Sequence, residues 1–597
     1  MTRMKRKRAH SFNASEEYER KWPRTVASPT ISTGSADMLS LLSDEILIRI
    51  LKHLPVETVL LCQSISKRWG ALSTDGEVWR SLFWTRFVQP NLKKKGFKYT
   101  IENREEKWIN EQKKKRQEGI YTSLGQDAKD KAPRIDWKAR YRLRHNWSRG
   151  AADVREIGLQ EEMDTTTGQA DETRKMADPG RLVARIADGR VVTVDQTFGI
   201  RAWDLRKDDG SSECTAHTPF TPFSDNGGLV PTTLALDSTS ETDTRVAVGF
   251  EDGGFAIWRL HIGSGEQRER FSPIYMRLGP GEEGVALAAI AYAHPHLLTV
   301  TEEQVLSLYV LEDKSTPGAV DGDGPSSGSQ DTLREGASEK AFASVEAAFK
   351  IKAPRLLTSL KSHTSWPPLS LSIRSTPQAI IASIAYALPT YTTGWSVGLQ
   401  ELHISHNGTI SRSRLASAAE QGFHSLLSPS SSVPPSPSLL PRRTQTIDDR
   451  VPLNASRPTS VSYSHPYLLA SHPDNTLSLY LVTSTQDDLH ISKARTLWGH
   501  TSSVSGAHVG ERGKAVSISA QGEELRVWEL ERGLASKRMA QDEGVRVRSD
   551  AHDGMIFDNV CPPSRSKDNW VGFDEEVVIV LKESGNGAKA LVVYDFT

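Results

Sequence analysis

AVSISAQGEELRVWEL, residues 515–530, holds two apolar runs around a polar turn, and its second run ends at Trp528. Each run has the length and composition of a short strand, and Gln521-Gly522-Glu523 breaks the chain between them. The phrase recurs. RVVTVDQTFGIRAWDL ends at Trp203, VAVGFEDGGFAIWRL at Trp258 and LLTVTEEQVLSLYVL at Tyr309. LLASHPDNTLSLYLV ends at Tyr480 and VVIVLKESGNGAKALVVYDF at Tyr594, while a fainter copy spans AIIASIAYALPTYTTGWSVGLQELHI, residues 379–404. That makes seven hairpins.

A single small sheet of this kind cannot bury its own faces, so a series of them predicts a closed β-propeller. Residues 181–597, less two inserts at 313–348 and 411–458, divide into seven units of about 48 residues, near the roughly 40–45 usual for such repeats. Both inserts are rich in Gly, Ser, Pro or charge, as in DGDGPSSGSQ and SLLSPSSSVPPSPSLLP, and are expected to be disordered surface loops. The sequence stops three residues after Tyr594, at the end of a third-strand pattern. The last blade then needs a fourth strand to cover its edge. Val154 to Leu159 or Arg181 to Ile186 could supply it, giving a propeller over 151–597.

These hairpins resemble the WD-repeat family, most plainly where Gly499-His500 precede Trp528-Glu529 and where Trp203-Asp204 end the first unit. The resemblance implies structural roles for Trp203, Asp204, Trp258, His500 and Trp528. In the family, His, a strand Ser or Thr and the Trp indole join a hydrogen-bonded network through a turn Asp. Asp195 stands at the turn of the first unit. Gln521-Gly522-Glu523 stand at that of His500, where the network is expected to be incomplete.

Ahead of the repeats the periodicity changes to helical. In LLSDEILIRILKHLPVETVLLCQSISKRWGALSTDGEVWRSLF, residues 41–83, Ser43 can cap a helix with its hydroxyl, and Asp44 and Glu45 suit its first turn. Leu42 and Leu47 are placed for a hydrophobic staple, and Ile46, Leu47, Ile50, Leu51 and Leu54 form a stripe ended by Pro55. A unit of about 45 residues buries too little surface to stabilise itself well, so an outside helical layer is expected to cover it.

This segment resembles the F-box, the adaptor-binding module of SCF-type ubiquitin ligases. The family's Leu-Pro-x-Glu-Ile appears as Leu42-Ser43-Asp44-Glu45-Ile46, with Ser43 where Pro is usual. Leu54-Pro55, Ser66-Lys67-Arg68-Trp69 and Val78-Trp79 follow in order. The resemblance implies that Leu42, Ser43, Ile46, Ile50, Leu54, Pro55, Leu60, Ile65 and Trp69 form or back an interface with a Skp adaptor, and through it a cullin-RING ligase. The propeller would hold a protein substrate of unknown identity. DWKARYRLRHNWSRG, residues 136–150, is similar to the connector that leads into the propeller of F-box proteins with WD repeats.

The expected organisation is a disordered basic tail over 1–37, an F-box over 38–88, a helical connector with a flexible lysine-rich stretch over 89–150, and the propeller. The fold class is therefore multidomain, helical then all-β. Seventy-four basic and 74 acidic residues cancel, which argues against a dedicated nucleic-acid binder. Cys62, Cys214 and Cys561 have no metal-ligand spacing and, without a secretory signal, suggest reduced thiols in nucleus or cytoplasm. Apolar runs such as 285–293 are about half of what a membrane span needs. The sequons at Asn13, Asn146, Asn407 and Asn454 are then without glycosylation meaning. Lys5-Arg6-Lys7-Arg8 is a basic run of the nuclear-import type.

Catalytic candidates are poor. Gly324-Pro325-Ser326-Ser327-Gly328 matches a nucleophile elbow only as a string, inside an insert with no strand before it or helix after it. Asp321-Gly322-Asp323-Gly324 opens like a calcium loop, but Thr332 stands where a bidentate Glu is required. No enzyme activity, cofactor or metal is expected. Two alternatives stay open: a scaffold whose F-box serves a complex without ligase activity, and an RNA- or protein-binding propeller whose F-box controls its own turnover. Basic stretches at 93–118 and 134–149 keep the second in view.

Overall fold

The computed structural model describes residues 39, 41–89, 136–159, 182–205, 214–220, 229–237, 243–263, 269–279, 284–311, 354–361, 367–376, 379–390, 394–418, 456–485, 488–510, 513–522, 524–530, 544–549, 570–583 and 589–597. The expected tail with Lys5–Arg8, the lysine-rich stretch at 91–131, the 313–348 insert with its elbow-like and calcium-like strings, and Cys561 lie outside them. The chain divides into two units, Met1–Asp75 and Gly76–Thr597.

In the first unit, α1 (Asp44–Leu51), α2 (Val56–Cys62) and α3 (Lys67–Ser73) follow one another through short turns. Pro55 ends the first helix and, with its fixed φ of −58°, starts the second. Ser66 caps α3 by accepting from the Trp69 N–H at 3.3 Å. Arg68 ties the starts of α3 and α1 together, donating to Asp44 Oδ1 at 2.7 Å and to the Leu42 carbonyl at 2.6 Å. The expected Ser43 cap does not form. Ser43 occupies the cap position with extended backbone, and its carbonyl accepts from Leu47 N–H, but its hydroxyl takes no backbone N–H. That hydroxyl serves the neighbouring carboxylate instead: the Glu45 backbone N–H and the Ser43 side chain together hold the Glu45 pKa below its ordinary value.

The second unit opens with α4 (Gly76–Phe83), a π-helical turn at Trp84–Val88 and α5 (Trp137–Arg149). Asp136 caps α5 through two backbone N–H groups, and Gly150 ends it at φ 70°, the left-handed region that favours glycine. Seven sheets follow, antiparallel throughout except where Arg548–Ser549 pairs in parallel with Ala151 and Ala152. Blades 1 to 6 are built in chain order from residues 183–218, 231–277, 287–361, 368–417, 460–497 and 504–546. All seven sequence hairpins become the two middle strands of a blade, where both faces are covered by neighbouring blades. That double burial is why those strands read as continuous apolar runs. One apolar cluster fills each of the seven interfaces, including that between blades 7 and 1.

Blade 7 joins the two ends of the propeller segment. Its inner three strands are Trp570–Phe573, Val577–Glu583 and Lys589–Asp595, and its fourth is Ala151–Gly158. This strand runs antiparallel to the last one, from Asp153 opposite Asp595 to Gly158 opposite Ala590. Of the two candidate closing segments, 154–159 does this work, and Val183–Ala187 is instead the innermost strand of blade 1.

One insert boundary needs correction. The second insert was expected from residue 411, but Ile410–Ser417 is the outer strand of blade 4. Most of its residues face solvent and carry Ser or Arg, so the sequence there has the polarity of a loop.

Candidate functional site

Two apolar rows run along α1. Leu47 and Leu51, four apart, are fully buried, whereas Ile46 and Ile50, also four apart, keep 48% and 37% of their surface exposed. In α2 the buried side chains are Val59 and Cys62, and Leu60 and Leu61 are exposed. Ile65 follows at 64% exposure. Seven of the twelve large apolar side chains exposed among the described residues lie between 39 and 65. Soluble surfaces seldom gather exposed aliphatics in this way unless a partner covers them.

The residues singled out from sequence fall into two groups. Ser43, Ile46, Ile50, Pro55, Leu60 and Ile65 are exposed, and Leu42, Leu54 and Trp69 are half-buried. Leu41 and Leu61 were missed, though they are among the most exposed of the set at 76% and 69%. The spacing of Val59 and Cys62 was the available signal, since it turns Leu60 and Leu61 away from the buried side of α2.

In the second unit, α4 packs on α5 through aromatic rings. Trp79 meets Tyr141 edge-on at 5.4 Å, Phe83 lies 5.7 Å from Trp137, and Arg86 donates to the Tyr141 hydroxyl at 2.6 Å. The far end of α5 is fastened to blade 7. Trp147 stacks on Phe596 at 4.2 Å and donates to the Glu575 carbonyl at 2.9 Å; Asn146 donates to the Phe596 carbonyl, also at 2.9 Å. Lys514 sits 4.2 Å above the Trp147 ring. Thus α4 and the propeller are joined by one helix held at both ends.

Inside the propeller, blade 6 holds the expected polar network in part: among the described residues His500 Nδ1 lies 3.5 Å from Glu524 Oε2 without a hydrogen bond, and the other links are made. Ser517 Oγ receives the Trp528 indole N–H at 2.8 Å and lies 2.6 Å from His500 Nε2. The carboxylate comes from Glu524, one residue past the expected turn: its Oε2 accepts from Thr501 N–H and hydroxyl, both at 2.9 Å, and its Oε1 from Arg526 at 2.6 Å. A Glu side chain, one methylene longer than Asp, reaches back from the strand start. In blade 1, Asp195 forms a buried ion pair with Arg201 at 2.9 Å, and Arg201 also donates to the Leu159 carbonyl beside the closing strand. Asp204 lies 3.5 Å from Arg190. In blade 2, Trp258 is fully buried, but its indole N–H has no partner among the described residues. Arg201, Arg259 and Arg526 build no shared pocket, because the first and third are already held by Asp195 and Glu524.

A family model described as F-box-like matches residues 44–84, and one described as F-box protein pof12 beta-propeller matches residues 172–597. The chain belongs to the F-box protein pof12 β-propeller family. No curated protein matches it. Solved structures match at low identity. Saccharomyces cerevisiae Sqt1 is 11% identical, with 68% of this chain and 81% of that one covered and a TM-score of 0.30. The Myceliophteria thermophila Cps50 (Swd1) β-propeller domain is 12% identical, with 70% and 97% covered and a TM-score of 0.33. The computationally designed Ika8 protein is 11% identical, with 69% and 82% covered and a TM-score of 0.31.

In this F-box/propeller protein the F-box-like match runs through α4, so the helix that packs on α5 belongs to that module by sequence. The propeller match begins at 172, after the closing strand Ala151–Gly158. Blade 7 is therefore finished by a strand from outside the matched segment. Among the described residues, no helix is long and apolar enough to cross a membrane, and no group of three His, Cys, Asp or Glu side chains could hold a metal ion.

Proposed function

We propose that this F-box protein is the substrate-recognition subunit of an SCF-type ubiquitin ligase. Its F-box docks on the Skp adaptor, and its propeller holds the protein to be ubiquitylated. What supports the reading most is the exposed aliphatic surface of Ile46, Ile50, Leu60, Leu61 and Ile65, within a segment matched as F-box-like. Covering each such side chain contributes roughly 1.5–3 kcal/mol before the costs of association. The chain itself performs no bond chemistry in this reading. It raises the concentration of substrate lysine near the ubiquitin thioester, and α5 favours that role by fixing α4 to the propeller.

The test is adaptor capture by the full chain carrying Ile46→Asp and Leu60→Asp. Both side chains are exposed, so the fold should tolerate the change. Capture is expected to fall by about two orders of magnitude or more, as for charge placed in the centre of an apolar interface. Undiminished capture would end the assignment.

A further inference from the structure

The innermost strands of the seven blades line the propeller's central channel. Their sequences, VARIA, PTTLALD, LAAIAYA, PLSLSIRS, SVSYS, VSGAHV and WVGF, are mostly small or aliphatic. Asp237, Arg374, His508 and Arg185 are the residues there with a carboxylate, guanidinium or imidazole. Asp237 accepts from the His294 N–H at 2.7 Å, and Arg374 pairs with the buried Glu401 at 3.0 Å.

Arg185 is different. Its Nη1 donates to the Ala184 carbonyl at 3.0 Å, and its guanidinium lies 5.9 Å from the Trp570 ring centroid. Among the described residues no carboxylate pairs with it. The ionisable neighbour is His508, whose Nδ1 is 3.4 Å from Ser462 Oγ and whose ring meets Phe573 at 5.5 Å. His508 is exposed to solvent, but the protein mass crowded around it first, and the Arg185 charge second, lower its pKa, so at neutral pH it adds no charge of either sign. Of the acids at the nearby turns, Asp188 is exposed, and Asp574 already accepts from Gly189, Glu576 and Val577 N–H groups, each at 2.8 Å. A guanidinium stays charged at any physiological pH and offers five donors in a fixed fork. Here one cation stands in a channel wall with most of its donors unused by the described residues.

We propose that Arg185, flanked by Trp570 and His508, forms an anion site in the channel that takes a small soluble oxyanion of the phosphate class. The fork of the guanidinium suits two phosphate oxygens, and the neutral imidazole can donate a third bond. Arg185 lies in the middle of its strand rather than on a loop at the rim. A free phosphate or phosphomonoester therefore fits it better than a phosphorylated side chain on a docked protein. The site is separate from adaptor docking and does not depend on it.

Calorimetric titration of the full chain with inorganic phosphate tests the proposal, with a phosphoserine peptide as a second arm. Saturable 1:1 binding of inorganic phosphate is expected, weakened about tenfold or more by Arg185→Gln and unchanged by Arg142→Gln on the exposed side of α5. If Arg185→Gln fails to fold by circular dichroism, Arg185→Lys decides, since it keeps the charge and loses the fork; its affinity is expected to drop severalfold. Absence of saturable phosphate binding overturns the site, as does equal affinity in the folded Arg185 variant and the native chain. Binding of the phosphopeptide without binding of inorganic phosphate overturns the small-anion assignment.

Discussion

DEILIRIL in α1 and VVIVLKE in blade 7 carry similar densities of aliphatic residues, yet the two segments meet opposite fates. Val577 to Leu581 are all buried, because a blade's middle strand is covered on one face by the blade before it and on the other by the blade after it. In α1 only Leu47 and Leu51 are buried, and the Ile46–Ile50 row remains in water. The propeller closes on itself and leaves only a few scattered large apolar side chains, such as Leu356 and Trp498, in water. The helical unit has apolar surface to spare, and that surplus is what makes a docking role the natural reading of the molecule.

The sharpest way to break the self-sufficiency of the propeller is at its seam. Trp147→Ala removes the stack on Phe596, the bond to the Glu575 carbonyl and the seat of Lys514. A fully buried Trp lost to Ala should cost about 3–5 kcal/mol. Urea unfolding of the full chain measures it. A loss under about 1 kcal/mol would mean that α5 is a passive tether and that blade 7 is closed by its strand pairing alone.

A smaller effect is expected at the blade 6 network. Burial works to raise the Glu524 pKa, but the Thr501 N–H, Arg526 and the Thr501 hydroxyl outweigh it and take the pKa down from 4.5 to about 2. A depressed folded pKa means stability present above about pH 4.5 and lost as pH falls towards 2. Burial, partly opposed by Glu524, also depresses His500 from 6.5 to about 4, which adds a loss between those values. Glu524→Gln should therefore lower stability at pH 7 by about 1–3 kcal/mol, with the gap to the native chain narrowing below pH 4.5. Thermal unfolding between pH 7 and 3 reads both, and a gap independent of pH would sink the carboxylate's role.

Glu524 also marks the limit of what the sequence made legible. The seven hairpins were readable because double burial writes itself as unbroken apolar runs, and so was the need for a closing strand, though not which of 154–159 and 181–186 supplies it. The carboxylate of blade 6 was hidden because it sits one residue beyond the turn where Asp is usual, a shift that only side-chain reach makes equivalent. The outer strand ISRSRLAS was hidden for the opposite reason: being exposed, it has no apolar signature to distinguish it from the insert that follows. In the F-box the single stripe read along α1 is two rows with different partners, and periodicity alone does not say which row faces inward.

The smallest expected change in stability separates the two regions most cleanly. Leu61→Asp alters a side chain that is 69% exposed, on the side of α2 away from Val59 and Cys62. With nothing packed to lose, unfolding should shift by no more than about 0.5 kcal/mol. The same substitution puts a charge into the proposed adaptor contact, where an unpaired carboxylate would have to be desolvated. Normal stability together with weakened adaptor capture would show that this leucine serves a partner rather than the fold. A large drop in stability would instead make Leu61 part of the protein's own core, and the surplus of apolar surface in the helical unit would shrink accordingly.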